Sequence, residues 1–212
     1  MSYLVGLFHT RIKPELLKHK PLHEMKVLDF ACSIGANSVI FKNLGVEVFG
    51  IDVSEKAIEK CIQGGYKLGD GRHFKAVNLL DPGVELKKLF NGMMFDLIIA
   101  SECMYYFKNK ERRDLLTQFM DVIEPHGIFY VSMPTYDFPL YRGYKDVEKD
   151  SDGMVEIKES GSISEKLSVN LPRSRNEMIS MFEPFKMIDL LVTDEPRFSD
   201  HPEREYHMIA KK

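Results

Sequence analysis

The chain has 212 residues, 44% of them hydrophobic and 29% charged, with a formal net charge of −3. This length and balance suit one well-filled core and argue against nucleic acid as the main partner, because phosphate neutralisation needs clustered Lys and Arg. No apolar run approaches the roughly 18 residues that cross a bilayer, so no membrane association is expected.

Residues 1–24 read as an N-terminal flank in which Pro14 opens a short helix. The apolar Tyr3 to Phe8 is too short for the core of a secretion signal, which gives a cytoplasmic expectation. Lys26 to Phe30 is the first strand, and the small residues Ala31, Ser33, Gly35 and Ala36 lead into a helix that Gly45 closes. Val46 to Ile51, rich in β-branched and aromatic residues, is the second strand. Ser54 then caps a helix with Ala57, Ile58, Cys61 and Ile62 on one face, ended by Gly64-Gly65. A strand from His73 to Val77 reaches Asn78-Leu79, Asp81-Pro-Gly marks a turn, and a short helix follows near Glu85 to Phe90.

Phe95 to Ala100 is a continuous apolar run, the pattern of a strand covered on both faces. The helix from Asn109 to Ile123 carries Leu115, Leu116, Phe119, Met120 and Ile123 on one face, and Glu124-Pro-His-Gly reads as a turn before a fifth strand, Ile128 to Met133. Residues 134–172 show no amphipathic helix. They hold Tyr136, Phe138, Tyr141 and Tyr144 and a weak hairpin pattern, Val155 to Lys158 with Leu167 to Leu171. So long a connection reads as an insertion or lid over an acceptor site. A helix from Ser174 to Phe182 precedes two strands, Phe185 to Thr193 and Tyr206 to Lys211, whose connection is too short for a crossover helix, so they pair antiparallel. The expectation is one α/β domain over 1–212: a doubly wound, mainly parallel seven-stranded sheet ending in an antiparallel hairpin.

The chain is organised around Val27 to Ser54, a strand, small-residue turn, helix and second strand ending in Asp52, which follows Asp29 by 52 − 29 = 23 residues. That layout suits an adenosyl ligand, with the backbone close to it at the turn and the second acid placed for ribose hydroxyls. The stretch resembles the first motif of the class I S-adenosylmethionine-dependent methyltransferases, an acid followed by G-x-G-x-G. Asp29 and Gly35 match, while Ala31 and Ser33 replace the first two glycines. A nicotinamide-type G-x-G-x-x-G would need glycine at Ala31, Ser33 and Ala36 and finds none.

The resemblance spans about Lys26 to Lys211 and implies S-adenosyl-L-methionine as cofactor, with a Rossmann-like sheet. It places Asp29 near the cofactor ammonium, and Ser33 and Gly35, with Ala31 and Cys32 in the same loop, near its carboxylate and ribose. Asp52 and Val53 match the ribose site, Asn78 and Leu79 the adenine site, and the loop from Ser101 to Phe107 the methionine and acceptor side. Read plainly, Asp52 is a strand-end acid, Asn78 a turn residue, and Cys32 and Cys103 small buried residues. With Cys61 they make three cysteines in no metal-ligand or C-x-x-C spacing, so reduced thiols and no metal are expected.

The reaction implied is in-line methyl transfer to a small-molecule acceptor. Glu102 and Tyr105 are the catalytic candidates, Glu102 as general base, with Tyr106, Tyr136 and Tyr141 as aromatic walls. His9, His126 and His201 are weaker bases, and His207 reads as structural. The competing readings are an RNA or protein methyltransferase, a non-catalytic adenosyl-binding protein, and a nucleotide-dependent oxidoreductase.

Overall fold

A computed structural model describes residues 3–64, 67–138, 140–157, 167–195 and 203–212. The helix expected to open at Pro14 begins earlier. Helices α1 (Tyr3–Leu7) and α2 (Lys13–Leu16) flank a π-helical turn, Phe8–Ile12, in one continuous helical run, and Pro14 falls in α2 just past that turn. This run buries Leu4, Leu7, Phe8, Ile12 and Leu16 against Val27, Val48, Leu97 and Ile99, covering one face of the sheet. Among the described residues no helix is long and apolar enough to cross a membrane.

The strands β1 (Lys26–Phe30), β2 (Glu47–Asp52), β3 (Phe74–Ala76), β4 (Phe95–Ser101) and β5 (Ile123–Pro134) run parallel. They alternate with α3 (Ala36–Asn43), α4 (Glu55–Gln63), α5 (Leu86–Leu89) and α6 (Asn109–Val122). A small hairpin of β6 (Val155–Ile157) and β7 (Leu167–Val169) stands apart from the main sheet, and α7 (Arg175–Ser180) leads to β8 (Lys186–Glu195) and β9 (Glu203–Lys211). The main sheet has the order β3-β2-β1-β4-β5-β9-β8, with β9 antiparallel to both of its neighbours. This is the seven-stranded α/β arrangement expected from the sequence, and it puts the point where strand order reverses between β1 and β4. Ligands bind at such a point, beyond the carboxyl ends of the strands.

One strand differs from its expectation. No turn separates α6 from β5: the strand begins at Ile123, which pairs with Phe95 before a register shift between Phe95 and Leu97. A Cβ at Gly127 would lie 2.6 Å from Ile123 Cγ1 and 3.0 Å from Phe95 O. The glycine that reads as a turn residue is the one that lets two strands pass closely.

Candidate functional site

The loop from β1 to α3 is shaped by its backbone. Ala31, Ser33 and Gly35 have φ of 55°, 48° and 85°, so alternate residues are left-handed. A glycine takes this conformation freely, whereas Ala31 and Ser33 carry a cost of about 1–2 kcal/mol each. At Gly35 there is no such latitude, because a Cβ would collide with Leu68 Cδ1 and lie 3.2 Å from Cys61 Sγ. Ser54 caps α4 as expected, its Oγ accepting from Ala57 N.

Asp52 closes the loop. One carboxylate oxygen accepts from Ser33 N at 2.8 Å and the other from Ser54 N at 2.9 Å, tying the first turn to the end of β2. Asp29 is turned elsewhere: it is 1% exposed and accepts from Ser38 Oγ at 2.7 Å. Burial pushes its pKa up to about 7, against the pull of the Ser38 hydrogen bonds.

A cavity of about 440 Å³ lies beyond the ends of β1, β2 and β4. Of the residues singled out in the sequence, it is lined by Ala31, Asp52, Val53, Asn78, Leu79, Cys103 and Tyr106; Asp29, Cys32, Ser33, Gly35, Ser101, Glu102, Tyr105, Tyr136 and Tyr141 are not among its lining residues. Val53 is 71% exposed beside Asp52, an apolar side chain left facing the open end. Asn78 spends its side chain within its own turn, donating to Asp81 Oδ1 at 2.8 Å and accepting from Leu80 N at 3.1 Å. The far wall is Phe30, Cys103, Tyr106 and Phe107 together with Glu111 and Leu115 of α6, two residues that the sequence reading did not pick. Their only sequence signal is position, since Glu111 sits three residues after Lys108 and accepts its N–H at 2.9 Å, which fixes the start of the helix beside the cavity.

On the side of residues 134–172 the cavity meets a tyrosine cluster. The Tyr105 hydroxyl donates to that of Tyr106 at 3.1 Å with ring centroids 4.2 Å apart, and Tyr141 stands edge-on to Tyr105 at 6.4 Å. Burial first, and then the neighbouring hydroxyls and Glu102, push the Tyr105 phenol far up and that of Tyr141 to about 12. Both stay protonated near neutral pH. Glu102 itself is held at φ 54°, and its N–H is bound to Ser132 O at 3.1 Å. Ser101 Oγ and Ser132 Oγ lie 3.1 Å apart beneath it.

The remaining candidates lie away from this wall. His126 stacks on His19 at 4.0 Å beside Asp96, at the opposite end of the strands. His9 is exposed on the N-terminal helical run. His207 is buried between the Tyr130 hydroxyl at 2.8 Å and Thr193 Oγ1 at 2.9 Å. His201 is outside the described residues. Burial raises all three cysteine thiols, so none is poised as a thiolate nucleophile.

Comparison with known proteins gives a consistent picture. A family profile described as "Methyltransferase domain" matches residues 8–191. The chain is 28% identical over 121 residues to a glycine/sarcosine N-methyltransferase of Halorhodospira halochloris; the match takes in 56% of this chain and 43% of that enzyme, so less than half of the relative is spanned. Among solved structures, a SAM-dependent methyltransferase from Methanosarcina mazei superposes with a TM-score of 0.69 at 17% identity, covering 93% of this chain and 96% of that one. The N-methyltransferase NodS from Bradyrhizobium japonicum, solved with S-adenosyl-L-homocysteine, gives a TM-score of 0.60 at 14% identity, covering 98% and 86%.

Proposed function

Because the chain belongs to the methyltransferase-domain family and is an S-adenosylmethionine-dependent enzyme of class I, we propose that it methylates the nitrogen of a small-molecule amine. The observation that carries this reading is the tyrosine cluster, whose Tyr106 lines the 440 Å³ cavity and whose Tyr105 and Tyr141 stand within the field of Glu102. Aromatic faces and a carboxylate attract a cation, so the acceptor enters as an ammonium. The N-methyltransferase named above lends support from the relatives.

The residues present fit the cofactor. Each oxygen of Asp52 takes one backbone N–H and keeps lone-pair capacity for a ribose hydroxyl. Leu79, Leu115 and the exposed Val53 offer apolar walls to a base. Asn78 contributes its place at the end of β3 and, beyond the N–H given to Asp81, a second amide N–H. The left-handed turn from Ala31 to Gly35 brings backbone to the cavity at Ala31, and Gly35 leaves room for Leu68 and Cys61 behind it. Asp29, through Ser38, fixes the start of α3 behind the loop.

When bound, S-adenosylmethionine supplies a methyl group already activated on a sulfonium, which leaves the chain to position, desolvate and deprotonate. Glu102 takes the proton of the acceptor ammonium. The bound cofactor would supply its methyl to the nitrogen lone pair so freed and would leave as the neutral thioether, S-adenosylhomocysteine. Tyr105 and Tyr106 hold the acceptor in line, and residues 134–172 act as the lid that keeps water out.

The test is a panel of small amines, alcohols and thiols offered with the cofactor, with methyl transfer read by mass spectrometry. Methylated amines are expected; products formed only on oxygen or sulfur, or no product, would sink the reading. Glu102→Gln should lower kcat by about 10²-fold while leaving the affinity for S-adenosylhomocysteine unchanged by calorimetry.

A further inference from the structure

A buried positive charge without a counter-ion of its own among the described residues lies beside the tyrosine cluster. Arg112, in the first turn of α6, is 4% exposed. Its Nε donates to Met181 O at 3.2 Å and its Nη2 to Asn109 Oδ1 at 2.8 Å, while Nη1 has no hydrogen-bond partner among the described residues. The acid whose field it feels, Glu177, is committed to others: one oxygen to Lys149 Nζ, the second to Arg173 N at 2.6 Å. Lys149 and Arg112 thus share a single carboxylate, and one charge is left over. Burial, with Arg113 adding to it, draws the Arg112 pKa down to about 10, which leaves the group charged at neutral pH. Protein interiors keep such a charge only where something pairs with it.

The position of this charge indicates what that partner is. Asn109 Oδ1, the acceptor for Arg112, also takes Asn170 Nδ2 at 2.9 Å, and the Asn170 N–H donates to Tyr105 O at 2.7 Å. Two asparagines therefore connect the guanidinium to the backbone of the tyrosine cluster. A second buried donor stands on residues 134–172: Tyr136 is 3% exposed, and its hydroxyl is near Arg173 without a well-formed hydrogen bond among the described residues. Two unsatisfied donors and a surplus positive charge call for an anion.

We propose that the methyl acceptor is an amine bearing a carboxylate, and that Arg112, with Tyr136, binds that carboxylate while Glu102 and the tyrosine cluster receive the ammonium. This rests on the small-amine reading above. It makes Arg112 a specificity residue, separating amino-carboxylates from simple amines, and it gives a reason to retain a charge that packing alone would discard.

The test compares glycine with glycinamide, which share the amine and differ in the carboxylate, and adds acetate and methylamine as single-group probes. Binding is measured by calorimetry on the whole chain saturated with S-adenosylhomocysteine. Glycine should bind at least tenfold more tightly than glycinamide. In Arg112→Met, of similar length and uncharged, that ratio should fall to near one, acetate binding should vanish, methylamine binding should persist, and the melting temperature should hold or rise. Tyr136→Phe, which keeps the ring, should reduce the ratio several-fold. Equal binding of glycine and glycinamide by the native chain would overturn the inference without touching the amine reading, which then stands on methylamine. A lower melting temperature for Arg112→Met with the ratio intact would make Arg112 a strut between α6 and α7. Failure of all four probes would remove both readings together.

Discussion

The two walls of the cavity are built by different means. On the side of the β1–α3 loop, Ala31 to Gly35 works through its backbone: three alternate left-handed residues, the Ser33 N–H closed by Asp52, which also takes the Ser54 N–H, and a helix start held by Ser38. On the opposite wall the work falls to side chains, Phe30, Cys103, Tyr106, Phe107, Glu111 and Leu115, with Tyr105 packed on Tyr106 and Tyr141 on Tyr105, drawn from strand ends, α6 and residues beyond β5. A backbone site is local, so a few consecutive residues specify it and small side chains can exchange. A side-chain site is assembled by tertiary packing, and its buried polar groups weigh on stability until a ligand satisfies them.

The largest effect should come from the one position where the backbone wall has no freedom. Gly35→Ala forces an alanine into φ +85° and drives its Cβ into the buried Leu68. The left-handed cost and the overpacking together amount to about 3 kcal/mol. Urea unfolding should show the midpoint falling with its slope unchanged. A loss below about 0.5 kcal/mol, within the scatter of a neutral surface change, would break the contrast, since the loop would then be no more exacting than its neighbours.

The same contrast explains what could be read from the sequence. The strands β1, β2 and β4 declare themselves as apolar runs, and the cavity-lining residues Ala31 after β1, Asp52 and Val53 at the end of β2, and Asn78 and Leu79 after β3 follow because chain order alone puts them at the carboxyl ends of neighbouring strands. Glu111, Leu115 and Arg112 could not be found that way. Helix α6 reads as ordinary amphipathic helix, and which of its turns meets the cavity, Met181 or Asn170 depends on packing between distant segments. The start of β5 was hidden for a related reason: Gly127 serves a close approach of strands, a use that looks like a turn until the partner is known. Asp29 had the right place in the motif, but its direction, towards Ser38, is set by the helix that follows it.

A smaller effect tests the strain stored behind the backbone wall. The Asp29 carboxyl has its pKa raised from 3.8 to about 7, with burial as the leading cause. Between about pH 4 and pH 7 the folded chain holds a proton that the unfolded chain has lost, so the contribution of this group to stability falls as pH rises through that window and is level above it. The gap corresponds to at most about 4 kcal/mol. An asparagine side chain at this position would keep an acceptor for Ser38 but lose the charge-assisted part of that bond, so Asp29→Asn should gain about 2 kcal/mol at pH 8 and nothing below pH 4. Chemical unfolding at the two pH values measures this directly. An equal change at both would mean that the carboxyl keeps its ordinary pKa in the folded chain.

The smallest expected effect is the sharpest test of the division between backbone and side chain. Ser33→Gly relieves a left-handed serine at about 1–2 kcal/mol and gives back about 0.5–1 kcal/mol in unfolded-state freedom, so the net gain is about 0.5 kcal/mol, and Ala31→Gly should behave alike. The contacts that hold the turn at residue 33 use its backbone atoms and survive the change: its N–H to Asp52, and its carbonyl oxygen accepting from Cys61 Sγ at 3.3 Å and Cys32 Sγ at 3.7 Å. The affinity for S-adenosylhomocysteine should therefore stay within about twofold, a difference of less than about 0.5 kcal/mol. If Ser33→Gly instead weakened binding tenfold, the serine hydroxyl would be a ligand in its own right, and the replacement of the motif's glycines would be a gain of function at this wall rather than a tolerated strain.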